Sequence, residues 1–360
     1  MARLGTIGMA LVAALVCCTR MAAADPIPQT ESLFLLAPPK QAGPVVVRAR
    51  FEFHDILEIN DGEETFEFSG VLTLVWNDPR QAFEPGIAGV DEKVFQGGYQ
   101  FNEVSTGWYP QVVLVNESGS YQKSGVVLRV KPDGTSTLIE TITATAEVDL
   151  NLRRYPFDNH RLEAVFEVLG FDRDEIVMEV ASAYAGSLLA DDVRIPEWSI
   201  TGSGMATRDR AASYAGHRGV SSAFIASVDV ERDSFFSIRL VVIPLTVIVL
   251  LSFSVFWMDR SSLGDRTSVS FIGILTGVAY QLVISDVLPH ISYVTLIHSF
   301  LTLSFLTMCS TVVVNLAVGA LDHRGKRELG DRVDHRCRWL FPLAYFGLIT
   351  VMIGLTFLFF

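Results

Sequence analysis

Cysteine is scarce in this chain. The 360 residues contain four cysteines, and none lies in the part that is predicted to fold outside the membrane. Cys17 and Cys18 belong to a leader segment, whereas Cys309 and Cys337 lie in or beside hydrophobic segments. A disulfide framework is therefore excluded, and an exported domain of this composition must be stabilised by its core. The seven histidines show no metal-ligand spacing on one element, so the sequence predicts no metal site.

Signatures of catalysis and of nucleic-acid binding are also missing. The sequence has no Ser/His/Asp array, no phosphate-binding loop and no Cys/His cluster, so it predicts neither an enzyme nor a bound cofactor. The net charge is −12 and basic patches are absent, which argues against nucleic acid as a partner.

Hydrophobic residues are abundant instead, at 50% of the chain, and they are unevenly distributed. Residues 1–24 resemble a secretory signal peptide, with Arg3 before a short apolar core at Ile7–Cys18 and small residues at 22–24. An anchor helix is the alternative, but the apolar run is too short to span a bilayer. The pattern predicts an exported chain with a soluble part and a membrane part.

Residues 25–234 show the pattern of an all-β, immunoglobulin-like sandwich on the extracellular or periplasmic side. After a proline-rich lead, short alternating runs are separated by turn signals such as Asn60-Asp61-Gly62 and Pro132-Asp133-Gly134. The predicted strands are Val45–Phe53, Thr65–Trp76, Gly107–Val115, Gly125–Lys131, Ser136–Ala146, Arg161–Val168, Ile176–Val180, Glu197–Ser203 and Ala223–Glu231.

Residues 235–360 contain four apolar segments, which predict a four-helix transmembrane bundle. The helices are expected at about 235–257, 266–286, 292–321 and 338–360, each long enough for a bilayer core of about 30 Å. The link between the third and fourth segments is rich in arginine and lysine, which places it in the cytoplasm.

One face of the second apolar segment is not lipid-like. Its members recur at alternating spacings of three and four, so they share one helical face: Asp265, Ser268, Ile272, Leu275, Ala279, Leu282 and Asp286. Because carboxylates at membrane depth are costly and usually face a polar cavity, the pattern favours a pore-lining helix. An ordinary helix–helix seam is the alternative, and it explains the leucines but not the two carboxylates.

Several motifs, in chain order, resemble those of the pentameric ligand-gated ion channels, in particular the prokaryotic members. The motifs are Trp76-Asn77-Asp78-Pro79-Arg80, Trp108-Tyr109-Pro110 followed by Asn116, and Tyr155-Pro156-Phe157-Asp158. Eukaryotic members close the loop around the third motif with two cysteines, and the corresponding positions here are Val148 and Leu162. The ordered set covers nearly the whole mature chain and is far more specific than any single motif.

The resemblance implies a homopentamer in a bacterial inner membrane, with each chain surrounded by four identical subunits and membrane lipid. Five copies of the second helix would enclose a path for permeant cations. Asp265 corresponds to the selectivity position of cation-selective members, and Arg266 to a basic residue turned away from the lumen. Leu275 and Leu282 correspond to the gate, where apolar rings stop ions by expelling water.

The resemblance also implies a set of residues that couple the two domains. Asp158 needs a cation, and Arg232, just ahead of the first helix, is the expected partner. Pro156 is expected to hold Tyr155 and Phe157 as an apolar tip towards the bilayer interface. The remaining members of the predicted set are Asp61 and Glu64 in the first hairpin turn, as further partners that share Arg232, and Pro289 and His290 in the link between the second and third helices.

The stimulus is open between protons and a small agonist. Proton gating is favoured, with Asp55, Glu64 and His290 as candidate sensors. Positions that are aromatic in amine-gated relatives are aliphatic here, which predicts weak amine binding. Candidate ligand-binding residues are nevertheless Glu167, Phe171 and Tyr214. A non-conducting, membrane-anchored periplasmic sensor is the alternative function, although only about sixteen residues between the third and fourth segments would face the cytoplasm.

Overall fold

Two β-sheets form the N-terminal part of the molecule, and four long helices form the C-terminal part. The computed structural model describes residues 37–105, 107–181, 188–190, 193–212, 219–259, 263–285, 288 and 291–359. The predicted signal peptide, residues 1–24, lies outside the described residues. The predicted order of a β-sandwich followed by helices is confirmed.

The strands in the described part of the chain are β1 (Val45–Asn60), β2 (Thr65–Asn77), β3 (Lys93–Gln96), β4 (Val112–Leu114), β5 (Glu117–Val130), β6 (Thr135–Glu147), β7 (Asn159–Val168), β8 (Ile176–Val180), β9 (Trp198–Ala211) and β10 (Val220–Arg232). One sheet has the order β3-β5-β6-β2-β1-β8, and the other has the order β4-β7-β10-β9. Short helical turns lie at Pro79–Gln81, Pro85–Ala88, Gly97–Tyr99, Gln100–Val104 and Leu152–Arg154.

Aromatic side chains join the two sheets across the core. Phe51 of β1 lies 5.6 Å from Phe68 of β2 and 5.2 Å from Phe166 of β7, measured between ring centroids. Phe166 in turn lies 6.2 Å from Phe224 of β10. All four rings are fully buried, so this apolar contact replaces the cross-links that the domain lacks.

Several predicted strands have different limits in the structure. β3 was not predicted, and Gly107–Val115 shortens to β4, whereas Gly125–Lys131 is the end of a longer β5. β1 continues past Phe53 through an irregularity in its pairing with β2. β9 continues to Ala211 because it pairs with β10 along its length, although its side chains are largely polar. Backbone pairing at a sheet edge does not require an apolar face, so the hydrophobic pattern did not predict the second half of β9.

The helices are α1 (Phe235–Trp257), α2 (Leu263–Ile284), α3 (Leu296–His323) and α4 (Arg327–Phe359), and each is long and apolar enough to cross a membrane. The predicted limits of α1 agree with the structure. The predicted start of α4 at residue 338 is wrong, because the helix begins at Arg327 and includes most of the charged link. Buried Gly330, Asp334 and Cys337 recur at helical spacing, so this link packs along one face.

A short π-helical turn, Ile238–Val242, precedes Pro244 in α1. Proline has no N–H, so it leaves the carbonyl four residues earlier, that of Leu240, without its α-helical donor. The hydroxyl of Tyr280 in α2 donates a hydrogen bond to this carbonyl. The irregular turn in α1 is thereby connected to the second helix.

Candidate functional site

The predicted stripe on α2 lies on an exposed face of the single chain. Its exposed members are Asp265, Ser268, Ile272, Leu275, Ala279 and Leu282, whereas Asp286 lies outside the described residues. Leu275 and Leu282 are each 69% exposed. The buried residues Arg266, Ser270, Gly277 and Ile284 form the opposite face. α2 therefore presents a continuous apolar strip, with a carboxylate at its cytoplasmic end, to whatever lies outside the chain.

Ser268 is the one hydroxyl in this strip. Its Oγ donates to the carbonyl of Gly264 over 2.9 Å, as helical serines commonly do. The donor is thus used within the helix, and the oxygen lone pairs point away from it. In that state the side chain can offer an acceptor to a cation beside Asp265.

Arg232, at the end of β10, is the centre of a buried charge cluster where the sandwich meets the helices. Its Nε lies 3.0 Å from Asp158 Oδ1, and its Nη2 lies 2.8 Å from Asp61 Oδ1. The guanidinium carbon lies 4.0 Å from the centroid of the Trp198 ring. The pairing of Arg232 with Asp158 and Asp61, which was expected from sequence, is thus present as a contact.

His160 is a member of this cluster that the sequence did not suggest. Its Nε2 lies 2.7 Å from Asp158 Oδ2, and its ring lies 5.7 Å from that of Trp198. Because an ionised carboxylate only accepts hydrogen bonds, Nε2 must carry the proton. Alternation along β7 gave the only signal, since it places residues 158 and 160 on the same side of the chain.

The cluster fixes the charge states of Asp158 and Arg232. Burial raises the pKa of Asp158, but the hydrogen bond from His160 and the charge of Arg232 outweigh burial, so the pKa lies below its ordinary value. Burial lowers the pKa of Arg232, but the hydrogen bond to Asp61 and the charge of Asp158 raise it further than burial lowers it. Both groups are therefore ionised at neutral and mildly acidic pH.

Tyr155 is buried at the junction with the first membrane helix, whereas Phe157 faces outward. Tyr155 is 5% exposed, its hydroxyl lies 3.2 Å from Ser237 Oγ at the start of α1, and its ring lies beneath Arg232 at 4.8 Å. A buried tyrosine needs a hydroxyl partner, and the first helix supplies one. Phe157 is 41% exposed and lies 6.2 Å from Phe357 near the end of α4, as an outward residue should.

Tyr293 provides a second contact between the domains, and the sequence gave no signal for it. Its hydroxyl accepts from the backbone N–H of Leu152 over 2.9 Å and donates to the carbonyl of Leu150 over 3.0 Å. The link between α2 and α3 is thus bonded to the segment just before Tyr155. The predicted coupling residues in the same link, Pro289 and His290, lie outside the described residues.

The remaining candidate sensors are separate from the charge cluster. Glu64 is exposed, with a left-handed backbone at φ 54°, and its carbonyl accepts from Val148 N over 2.8 Å. The ion pairs of Arg232 in the described residues go to Asp61 and Asp158, and the predicted sharing with Glu64 is not among them. Asp55 is half-buried beside an irregularity in the β1–β2 pairing.

Two of the three candidate ligand residues, Glu167 and Phe171, fall on or near one end of β7. Glu167 is 2% exposed, and its Oε2 has no hydrogen-bond partner among the described residues. Across the sheet it pairs with Ala223 of β10 and Val113 of β4. Phe171 packs edge-on against Trp108 with centroids 6.1 Å apart, and Tyr214 lies outside the described residues. A buried carboxylate oxygen without a donor is costly, so it marks a place where a donor is to be expected.

The molecule combines a β-sandwich with four membrane helices, and its second helix has an exposed strip. This architecture is that of a class of membrane channels, and sequence comparison identifies the family. Residues 34–231 match the neurotransmitter-gated ion-channel ligand binding domain, and residues 241–332 match the neurotransmitter-gated ion-channel transmembrane region. The chain therefore belongs to the neurotransmitter-gated ion-channel family. It is a membrane-embedded, pentameric ligand-gated ion channel and not an enzyme.

Relatives within the family fall into two kinds. The chain is 25% identical over 323 residues to a proton-gated ion channel of Gloeobacter violaceus. The aligned region covers 90% of this chain and 86% of that protein. It is 25% identical over 268 residues to a gamma-aminobutyric acid receptor subunit beta of Caenorhabditis elegans, covering 72% of this chain and 46% of the relative. It is 23% identical over 310 residues to the human gamma-aminobutyric acid receptor subunit rho-2, covering 84% of this chain and 65% of the relative.

Proposed function

We propose that this chain forms a homopentameric, cation-selective channel that opens when the extracellular side is acidified. The observation that carries the selectivity is a contrast between adjacent residues, since Asp265 is exposed on the strip of α2 whereas Arg266 is 1% exposed. Five Asp265 carboxylates at the cytoplasmic mouth would concentrate cations and repel anions. The buried arginines would not cancel that ring.

The gate in this proposal is the apolar part of the strip. Ile272, Leu275, Ala279 and Leu282 are exposed and carry no polar group. Five copies of each would make a dry constriction, which blocks ions by expelling water even where the hole is not fully closed. Leu275 and Leu282 are the gate residues of the proposal.

The proposed stimulus rests on the likeness to the relative named a proton-gated ion channel and on the positions of carboxylates in the sandwich. The pKa of Asp158 lies below its ordinary value, so mild acid does not neutralise it. Asp158 therefore serves as an anchor, and the sensors are assigned to Asp55, Glu64 and His290. Protonation would neutralise Asp55 and Glu64 and give His290 a positive charge, and these changes would shift the populations of closed and open states.

A small primary amine is the second candidate stimulus, and Glu167 is the observation that favours it. Its Oε2 is buried and has no partner within the described ranges, and an ammonium group would supply the missing donors. Aliphatic neighbours in place of an aromatic enclosure should keep the affinity low. The gamma-aminobutyric acid receptor subunits among the relatives are named for an amine ligand, which is consistent with this alternative.

The test is a current recording from proteoliposomes or oocytes during pH steps and during application of primary amines. We expect inward current on acidification, with a reversal potential that follows the sodium gradient. Asp265→Ala should move the reversal potential towards that of chloride, because the ring loses its charge. Glu328→Ala, a change at a cytoplasmic carboxylate with a side chain 93% exposed, is the matched control and should leave it unchanged.

Each outcome separates one part of the proposal from another. Current on amine application but not on acidification would replace protons by an amine as the stimulus. An unchanged reversal potential in Asp265→Ala would refute the selectivity role of that residue. Pentamers at the surface that pass no current under either stimulus would contradict the proposed gating.

A further inference from the structure

Arg266 is buried at the cytoplasmic end of α2, one residue after the exposed Asp265. Its side chain is 1% exposed, and its Nη2 lies 2.6 Å from Oδ1 of Asp334 in α4. Asp334 is itself 4% exposed at the side chain. An α-helix turns about 100° per residue, so the two neighbouring charges of α2 diverge, one outward and one into the bundle.

One carboxylate holds this arginine. Among the described residues, Arg266 Nε and Nη1 have no hydrogen-bond partner. Nearby, Asn315 Nδ2 donates to Ser270 Oγ over 2.8 Å, and the Oδ1 of the same amide is also without a partner. Because a buried guanidinium is costly unless it is paired, its position depends on the single contact with Asp334.

Asp334 lies in the part of α4 that was predicted to be a loop. This end of α4 is attached to the bundle twice, since Arg338 Nε also donates to the carbonyl of Phe256 at the end of α1 over 2.8 Å. The carboxylate of Asp334 is therefore presented from a fixed helix and not from a mobile link. The first turns of the fourth helix thus reach the base of the pore helix.

We propose that Asp334 is a positioning residue for ion selectivity, because it holds the Arg266 guanidinium inside the bundle and away from the ring of Asp265. This inference rests on the proposed role of Asp265. Without Asp334, the guanidinium would be an uncompensated buried charge, and the nearest water is at the cytoplasmic mouth. The long side chain of Arg266 would turn there and place five positive charges beside five carboxylates.

The test compares reversal potentials of purified channels in liposomes under a sodium chloride gradient. Asp334→Asn should lower the cation-over-anion permeability ratio by about tenfold, the scale on which a ring of charge changes local ion concentrations. The double variant Arg266→Gln with Asp334→Asn should restore the wild-type ratio, because it removes the charge that was released. Glu328→Gln, the same type of change at an exposed position of α4, is the control and should have no effect.

The outcomes distinguish this inference from the function on which it rests. A wild-type channel that prefers anions or does not discriminate would overturn the role of Asp265 itself. A cation-selective wild type with an unchanged ratio in Asp334→Asn would overturn only the role of Asp334. Failure of Arg266→Gln to rescue the ratio would show that Asp334 acts by its own charge, which also overturns the inference.

A variant that does not assemble still gives an answer. Should Asp334→Asn yield no pentamers, the double variant must assemble, since it buries neither charge. Its assembly with the wild-type ratio would support the inference. Its failure to assemble, or a reduced ratio, would overturn it.

Discussion

Two buried arginines stand at opposite ends of the membrane helices, and they are held in different ways. Arg232, on the extracellular side, contacts two carboxylates and the faces of two aromatic rings. Arg266, on the cytoplasmic side, contacts one carboxylate, and two of its nitrogens have no partner in the part of the chain that the structure describes. The Arg232 side chain is held by several contacts, so it stays in place when one of them is lost. The Arg266 side chain is held by one ion pair, so it can leave its position when that ion pair is lost.

The largest loss of stability should follow the replacement of Arg232. Arg232→Gln leaves Asp158 and Asp61 close together without a cation, which should cost about 3–5 kcal/mol of stability. Thermal unfolding of purified pentamers measures the loss. Arg48→Gln, whose side chain is 61% exposed in a 3.6 Å pair with Glu179, is the control and should cost about 1 kcal/mol or less. Equal losses of stability in Arg232→Gln and Arg48→Gln would contradict the view that the contacts of Arg232 hold the junction together.

A smaller effect should follow removal of one of its carboxylates. Asp158→Asn leaves Arg232 paired with Asp61, so the loss should be about 1.5–3 kcal/mol at neutral pH. The pKa of Asp158 is lowered, so its contribution is present above the ordinary value of about 3.9 and is lost as the pH falls through the lower folded value. Stability should therefore differ between wild type and variant by a constant amount from neutral pH down to about pH 5.

The pH dependence of this stability difference can also contradict the role of Asp158 as an anchor. A difference that disappears between about pH 7 and about pH 5 would mean that the pKa of Asp158 is raised in the folded protein. Asp158 would then be a proton sensor and not an anchor. The proton sensor would then lie within the charge cluster around Arg232.

The smallest effect is expected at Tyr293, which connects neutral groups. Tyr293→Phe removes the hydroxyl between Leu152 and Leu150 and should cost about 1 kcal/mol. Because this contact joins the two domains, the variant should shift the proton concentration for half-maximal current without changing the reversal potential. Tyr99→Phe, at a position 75% exposed, should change neither quantity. A Tyr293→Phe channel with wild-type activation would remove this contact from the coupling path.

The sequence was informative where a pattern is local. The strip on α2 follows from spacing alone, and the contact between Arg232 and Asp158 follows from opposite charges placed beside a motif. Trp198 was not found, because only the register of β9 with β10 brings it opposite Arg232. The burial of Tyr155 beneath Arg232 was not predicted, since an aromatic residue beside proline can face lipid or a buried hydroxyl equally well.

The early start of α4 was missed for a different reason. Its charged residues were interpreted as a cytoplasmic loop, although the buried residues Gly330, Asp334 and Cys337 recur at spacings of four and three. That weaker periodicity was the available signal. The pairing of Arg266 with Asp334 depends on it, so an error about one helix start concealed the residue on which the further inference rests.

The hydrogen bond from Tyr280 to the carbonyl of Leu240 bears on the sensitivity of the channel. An outward rotation of α2 must either break this bond or move α1 as well. A broken bond costs about 1 kcal/mol in each subunit, and five subunits that open together add their costs. If the proposed gate opens in this way, Pro244, which deprives that carbonyl of its helical donor, sets part of the energy difference between the resting and conducting states. A single imino acid in a helix that does not line the pore would then help to decide how strong a stimulus must be.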